Sequence, residues 1–273
     1  MTSISVTASR TRAGMLVLAL ALVGGTGCIT TAIVQNVQQK NRLREAEQER
    51  QKNIARLAPL ADAGDPAAAT ALVRELLSFR EPMPVDQARV FALLSGAAKK
   101  NHGPAQAILG EILVEGSFET VYPQPAVEAR FQDREAGIEW LKRAAAQACT
   151  YRADSKGYYR YTWIQPARRV SNVLANSGRE DEARVWNARS IMHCGEPDAR
   201  RIYWPIETAR ATPQERTEAL AQVLLTQDAA FIAKAEAAMP AGEVATAHRD
   251  AEQLRRRVAQ SEQQYPAPSR KGM

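Results

Sequence analysis

The chain has 273 residues, of which 45% are hydrophobic and 24% are charged. This balance is typical of a globular protein and excludes a chain that is disordered throughout. Aromatic residues make up only 6% and alanine is abundant, so the composition favours helices over a β-sandwich. The net charge of +6 is spread over short basic runs, so nucleic acid is not an expected partner.

The amino terminus has the three parts of an export signal. Arg10 and Arg12 are the only charged residues of the first 27, residues 13–23 are apolar or small, and residues 24–27 are small. Cys28 follows directly, and this arrangement resembles the lipobox of bacterial lipoproteins, although Gly25 stands where that pattern has leucine. The resemblance implies that residues 1–27 are removed and that Cys28 carries acyl chains, which anchor the protein to a membrane.

Two other interpretations of this segment stay open. Residues 13–37 contain no charge and are long enough for an uncleaved, tilted membrane anchor, although the glycines at 24–27 are poor helix formers. A plain cleaved signal is the third interpretation. In all three cases most of the chain lies outside the cytoplasm. Ile29 is not the aspartate that retains lipoproteins at the inner membrane, so the resemblance implies the outer membrane.

Composition also divides the rest of the chain. Residues 28–57 are predicted to form a helical stalk, because Gln, Lys, Arg and Glu dominate its second half and these residues favour helices. A helix-pair repeat domain is predicted over residues 58–200 and further helices over residues 201–264. The Pro-rich, basic residues 265–273 are predicted to be a disordered tail.

The predicted carboxyl-terminal helices have clear boundaries in the sequence. Thr212, Pro213 and Glu215 supply the cap, the first-turn proline and the returning carboxylate of a capping box. This motif predicts a helix that ends near residue 225. Two more helices are predicted over residues 228–239 and 243–264, separated by a break at Pro240.

The repeat domain is recognised from internal similarity. Residues 68–72 align with residues 105–109, and residues 86–98 align with residues 133–145. The second copy carries a ten-residue insertion after Gly116, which is predicted to be a loop. Each copy is predicted to be two helices, and small residues at helical spacing allow the helices to approach closely and to stack on the next pair.

Residues 103–116 and 133–145 resemble the Sel-one-like repeat, a helix-pair relative of the tetratricopeptide repeat. Residues 63–98 resemble a second copy, and residues 173–188 are similar to a further pair. The resemblance implies an all-α fold, a right-handed solenoid of antiparallel helix pairs, preceded by the N-terminal apolar anchor and the helical stalk.

The repeat alignment predicts the backbone conformation at one position and the packing of a side chain at another. Asn101 takes the position that Gly64 holds in the first copy, and asparagine also tolerates left-handed backbone. Trp140, which Leu93 replaces in the first copy, is expected to pack between helices.

An unusual group of aromatic residues follows the second copy, interleaved with basic residues: Tyr151, Tyr158, Tyr159, Tyr161 and Trp163. Tyrosine, tryptophan and arginine are frequent in binding hot spots, so this group is a candidate surface for a partner or a glycan. The alternative is that these residues cover the end of the repeat stack.

If Cys28 is acylated, Cys149 and Cys194 remain, an even number in an oxidising compartment. Each is predicted to end a second helix of a repeat, so stacking of neighbouring repeats can bring them together. The sequence leaves two possibilities for this pair, a disulfide bond and two buried thiols.

The sequence predicts neither catalytic residues nor a metal or cofactor site. His102, His193 and His248 lack zinc-ligand spacing, and no phosphate loop or nucleophile elbow occurs. No small-molecule substrate is predicted. We therefore expect a membrane-tethered periplasmic scaffold that binds other envelope proteins. The alternatives are an envelope glycan-binding accessory protein or enzyme that uses the aromatic residues at 151–163, and a purely structural tether.

Overall fold

The structure is a computed structural model that describes residues 10–77, 86–118, 126–152, 163–195, 204–208, 210–226 and 228–266. Side chains are described from residue 35 onward, except those of Arg152 and Trp163. The chain divides into two compact units, Met1–Ala55 and Arg56–Met273. The fold is all-α, as the composition predicts.

A single long helix, α1 (Arg10–Asp62), contains residues 10–27 of the predicted signal segment and the whole predicted stalk. The glycines at 24–27 do not interrupt it, because glycine lowers helix propensity by about 1 kcal/mol but leaves helical backbone angles accessible. In the second unit, Leu57 and Ala61 from the end of α1 are buried.

Within the described ranges, the other α-helices of more than two turns are α2 (Pro66–Leu77), α3 (Gln87–Lys99), α4 (Gly103–Glu115), α5 (Arg134–Gln147), α6 (Pro166–Ala175), α7 (Glu180–Cys194), α8 (Pro213–Val223), α9 (Ala229–Ala237) and α10 (Ala241–Gln264). Each helix from α2 to α6 packs against the next helix in the chain, α10 packs against α7 and α8, and α9 packs against α8. Between α5 and α6, the two-residue strands β1 (Tyr151–Arg152) and β2 (Trp163–Ile164) pair in antiparallel fashion.

The turns that begin the two repeat copies share an unusual backbone conformation. Gly64 has a φ of 86° and Asn101, at the equivalent position, has a φ of 61°. Among the described residues, Asn101 is the one non-glycine residue with positive φ. The expectation that asparagine replaces glycine in a left-handed turn is confirmed. The left-handed backbone conformation costs asparagine less free energy than it costs most other residues.

The close contact between α4 and α5 depends on two glycines. A Cβ atom on Gly137 would lie 2.8 Å from the Cβ of Leu113 and 3.0 Å from the carbonyl oxygen of Gly110. A Cβ atom on Gly110 would lie 2.9 Å from the carbonyl oxygen of Gly137. The two helix backbones therefore touch, at glycines inside the helices rather than at the alanines of the repeat pattern. Val73 and Val90 hold these positions in the first copy, where both are fully buried.

The insertion after Gly116 is anchored at its described ends. Ser117 and Ala126 form an isolated β-bridge, and Phe118 is fully buried. The ring of Phe118 lies 6.0 Å from that of Phe91, centroid to centroid. The described ends of this predicted loop therefore belong to the packed part of the domain.

Helix α7 separates two hydrophobic clusters. Ala183 and Trp186 belong to a cluster with side chains of α4, α5 and α6. Val185, Ala188 and Ile191 belong to a second cluster with side chains of α8, α9 and α10. A helix that is apolar on both sides in this way has to be covered on both sides.

The large tryptophan of this core is not the one that the repeat pattern indicates. Trp186 is 2% exposed. Trp140 is only partly buried, and the guanidinium of Arg143 lies 4.9 Å from its ring centroid. The expectation that Trp140 packs between helices is therefore met only in part, because one face of its ring is covered by a charged side chain of its own helix.

The carboxyl-terminal boundaries agree closely with the sequence. The capping box is formed, with the Thr212 hydroxyl accepting from the backbone N–H of Glu215 and the Glu215 carboxylate accepting from that of Thr212. Helix α10 begins at Ala241, two residues before its predicted start, with Pro240 as the cap residue. Proline tolerates this position because it needs no hydrogen-bond partner for its nitrogen.

We expect Gly137→Ala to lower the free energy of unfolding by about 1–3 kcal/mol, because the added methyl group cannot fit without moving the backbone of α4. Urea denaturation measures this change. Gly96→Ala is the matched control: Gly96 lies in the interior of α3, and no atom lies within 4 Å of a Cβ built there. This control should raise the stability by up to about 1 kcal/mol. A Gly137→Ala chain as stable as the wild type would contradict the close contact.

Candidate interaction surface and the Tyr265 site

The predicted lipidation site is described only in part. Cys28 lies in the helical backbone of α1, and its side chain is outside the described residues. Within the described part of the chain, no helix has a stretch that is both long and apolar enough to cross a bilayer.

The predicted aromatic surface is not assembled by the described residues. Tyr158, Tyr159 and Tyr161 lie outside them, and Trp163 is described only in its backbone, as part of β2.

Tyr151 serves the packing of the repeat. Its hydroxyl donates to the carbonyl oxygen of Ala144 at 2.9 Å, and its ring covers Gly103 so closely that a Cβ there would overlap it. Burial raises the pKa of Tyr151 to about 12. Tyr151 is partly buried, and these contacts favour the alternative that it covers the repeat helices; its role in a partner surface stays a prediction.

Cys149 and Cys194 form a disulfide bond, one of the two possibilities that the sequence leaves open. Cys149 lies two residues after α5, and Cys194 is the last residue of α7. The bond closes a chain segment with a sequence separation of 45. It therefore ties the ends of α5 and α7 together across the intervening helix α6.

Tyr265, which the sequence assigns to the disordered tail, is held between α5 and α7. Its ring centroid lies 5.5 Å from that of Trp186 in an edge-on arrangement, and its hydroxyl donates to Glu139 at 2.8 Å. The carbonyl oxygen of Tyr265 accepts from Arg189 at 2.8 Å. The ammonium of Lys142 lies 5.9 Å from the ring centroid. We call these four contact residues, Glu139, Lys142, Trp186 and Arg189, the Tyr265 site.

The two basic side chains of this site are buried. Lys142 is 7% exposed and Arg189 is 5% exposed. Arg189 also donates to the Ser261 hydroxyl at 3.0 Å. Buried cations need partners to offset the loss of hydration. The end of α10 supplies acceptors to Arg189, and Glu182 supplies the ion-pair partner of Lys142.

Protonation states follow from this geometry. Burial raises the pKa of Tyr265, and the hydrogen bond to Glu139 raises it further, so the phenol stays a donor at neutral pH. Burial opposes ionisation of Glu182, but hydrogen bonds from Lys142 and Arg179 outweigh it and lower the pKa of Glu182. The Tyr265 phenol is therefore neutral, and the Glu182 carboxylate that pairs with Lys142 is ionised.

A signal for Tyr265 exists in the sequence. The residues on the buried side of α10, at positions 247, 251, 254 and 258, continue at the same spacing to Ser261 and Tyr265. This spacing is typical of one helix face. Pro266 and the basic residues that follow it favour a disordered tail. For this reason the sequence assigns Tyr265 to the tail and not to the buried side of α10.

Each of the three histidines contacts a polar or acidic side chain of another helix or turn. The Nδ1 atom of His102 lies 3.0 Å from the Thr70 hydroxyl, and burial lowers the pKa of His102. His193 pairs with Glu262, and His248 pairs with Glu236 at 2.7 Å. In the described part of the chain, no group of three or more histidine, cysteine or acidic side chains is arranged to hold a metal ion.

Ion pairs also join α4 to α6. Arg169 on α6 donates to Glu111 on α4 at 2.9 Å and pairs with Glu115 one turn further on. Burial raises the pKa of Glu111, although the guanidinium of Arg169 opposes this rise. The first helices of two successive pairs are therefore in side-chain contact, as are the second helices, α5 and α7, through Lys142 and Glu182.

Comparison with family models, with curated proteins and with solved structures finds no match to this chain.

We expect replacement of Cys149 and Cys194 by serine to lower the free energy of unfolding by about 4 kcal/mol, the chain-entropy value for a loop of this size. Urea denaturation of the double variant and of the wild type measures the difference. As a control, a reducing agent should bring the wild type to the stability of the variant and leave the variant unchanged. Reaction of both cysteines with a thiol reagent in the oxidised, folded protein would contradict the bond.

Proposed function

We propose that this protein is a membrane-tethered helical-repeat scaffold whose globular part lies in the periplasm and binds other envelope proteins. The observation that supports this proposal is the pattern of contacts between successive helix pairs. The first helices α4 and α6 meet through Arg169 and Glu111, and the second helices α5 and α7 meet through Lys142 and Glu182. The first helix of one pair therefore contacts the first helix of the next pair, and the second helix contacts the second.

This pattern is typical of a solenoid, in which each repeat covers the exposed side of its neighbour. We assign the pairs α2–α3, α4–α5 and α6–α7 to a right-handed solenoid of antiparallel helix pairs of the Sel-one-like or tetratricopeptide type. The glycine contact between α4 and α5 and the equivalent turns at Gly64 and Asn101 support this assignment. Solenoids present extended surfaces to other proteins.

The proposed compartment has two supports. The first is the amino-terminal pattern, which ends at Cys28 and favours a lipid anchor in the outer membrane; retention of residues 13–37 as a single-pass anchor is the alternative. The second is the disulfide between Cys149 and Cys194, since such bonds persist in oxidising compartments such as the periplasm. The two supports are independent of each other.

The glycan-binding or enzymatic alternative has less support. It depends on the aromatic residues at 151–163. Of these, Tyr151 donates its hydroxyl hydrogen bond to the carbonyl oxygen of Ala144, and its ring lies against Gly103. Trp204 is a stronger candidate for partner contact, because it is 68% exposed and tryptophan is enriched in binding hot spots. We therefore keep protein binding as the proposed function.

The tether is tested by the intact mass of the protein extracted from membranes. We expect the mass of residues 28–273 plus acyl chains, because acylation of Cys28 accompanies removal of the preceding segment. Cys28→Ala should abolish both changes and reduce the fraction that sediments with membranes. A membrane-bound wild-type chain that retains residues 1–27 and carries no lipid would contradict the lipid anchor and favour the single-pass alternative.

The scaffold is tested by photo-crosslinking in intact cells, with a photoreactive residue at Trp204. We expect adducts with defined envelope proteins, because an exposed tryptophan is a favourable contact residue. Gln253 on α10, which is also exposed, is the control position and should give fewer adducts. Equal, weak labelling at both positions would count against a binding surface at Trp204.

A further inference from the structure

We propose that one side of α1, which carries Val37, Lys40 and Arg44, lies on the membrane surface and binds anionic phospholipid headgroups. We call these three residues the stalk face. This contact rests on the proposed membrane tether and adds to it a defined interaction with lipid. The start of the stalk then lies along the bilayer and does not project from it.

The stalk face is exposed although it contains a large apolar side chain. Val37 is 52% exposed, and only two other large hydrophobic residues are as open to solvent among the side chains that the structure describes. Lys40 and Arg44 are exposed as well. On another side of the helix, Leu43 is partly buried. The stalk face is therefore not covered by any described part of the chain.

The two cations of the stalk face are unpaired within the described residues. No side-chain hydrogen bond or ion pair joins Lys40 or Arg44 to another described residue, whereas Arg50, further along α1, pairs with Glu47 at 2.7 Å. An exposed cation without a partner is free to bind an anion outside the chain. Each cation held at an anionic lipid surface strengthens binding about fivefold.

The stalk face continues toward the proposed lipid anchor. Val37, Lys40 and Arg44 lie on one side of the helix because they are three and four residues apart. Ile29 and Ile33 precede Val37 at intervals of four in the sequence. An apolar row that is accompanied by basic residues is typical of helices in the membrane interface. Lysine and arginine suit this position, because their aliphatic stems lie on apolar surface while their charges reach the headgroups.

The acidic residues of the stalk lie away from this face. At 3.6 residues per turn, Glu45 and Glu49 lie about 100° and 140° around the helix axis from Arg44. Glu47 is already paired with Arg50. The stalk face therefore carries positive charge and no negative charge, which complements an anionic lipid surface.

The distance from Cys28 distinguishes a lying stalk from an upright one. Residues 28–44 are all helical, and a helix rises about 1.5 Å per residue, so Lys40 and Arg44 lie about 18 and 24 Å along the axis from Cys28. The Debye length at physiological ionic strength is about 8 Å, so an upright stalk would hold both cations beyond the reach of the lipid charge. Contact with headgroups at a lipid-anchored Cys28 therefore requires a lying stalk.

The test uses full-length protein that is extracted from membranes and reconstituted into phosphatidylcholine vesicles with or without phosphatidylglycerol. A fluorophore is attached to Val37→Cys or, as the matched control, to Gln39→Cys. Gln39 is also exposed and lies about 200° around the axis from Val37. The wild type supplies the background, because Cys149 and Cys194 are bonded to each other and an acylated Cys28 has no thiol.

We expect the label at 37 to lose much of its quenching by acrylamide when the vesicles contain phosphatidylglycerol, because the stalk face then lies among headgroups. The label at 39 should be quenched equally in both kinds of vesicle. Equal quenching of the two labels in phosphatidylglycerol vesicles would overturn the proposal. Both labels would be quenched on an upright stalk, and both would be protected at the end of a spanning helix.

Three substitutions in the labelled Val37→Cys protein test the charges. Lys40→Gln and Arg44→Gln should each shift the equilibrium about fivefold toward the exposed, quenched state. Arg42→Gln is the matched control and should leave quenching unchanged. Arg42 is also exposed and lies about 200° around the axis from Arg44. An equal effect of Arg42→Gln would show a general attraction of the stalk to lipid and contradict the stalk face.

A second copy of the chain is the competing occupant of the stalk face. Protection of the label at 37 in neutral detergent, where no anionic lipid is present, would assign the face to protein contact and overturn the proposal. Failure of the protein to float with vesicles would overturn the membrane tether and this contact with it. Flotation with equal quenching at 37 and 39 would overturn the lipid contact alone.

Discussion

The two-sided burial of α7 is the constraint on which the second compact unit depends. On one side, Trp186 and Ala183 belong to the hydrophobic cluster with α4, α5 and α6. On the other side, Val185, Ala188 and Ile191 belong to the cluster with α8, α9 and α10. Neither side can be exposed to water without losing about 25 cal/mol for each Å² of apolar surface. The carboxyl-terminal helices therefore cover the second apolar side of α7.

Polar contacts add direction to this apolar packing. The ion pairs of Arg169 with Glu111 and of Lys142 with Glu182 connect corresponding helices of neighbouring pairs. The disulfide fixes the same neighbours at their ends. Apolar burial is non-directional, so these charged and covalent contacts are what select one register between successive pairs. Tyr265 uses this fixed register, because its contacts come from α5 and α7 together.

Several local features were predictable because short-range chemistry decides them. The capping box at Thr212 and Glu215 and the left-handed turn at Asn101 follow from the residues themselves. The close contact at Gly110 and Gly137 was not predicted, because valines hold these positions in the first copy. The burial of Trp186 and the seating of Tyr265 were missed, because both depend on residues far away in the chain. Tyr265 contacts Glu139 across a sequence separation of 126.

The sequence by itself determined that this chain is helical and where the carboxyl-terminal helices begin and end. These properties depend on backbone propensity, capping and periodicity, which act within a few residues. Only the tertiary structure decided that Cys149 meets Cys194, that the Tyr151 hydroxyl donates to Ala144, and that Tyr265 lies between α5 and α7. Those outcomes depend on which helix faces meet, and the pairing of faces is settled by the burial of the whole set of helices at once.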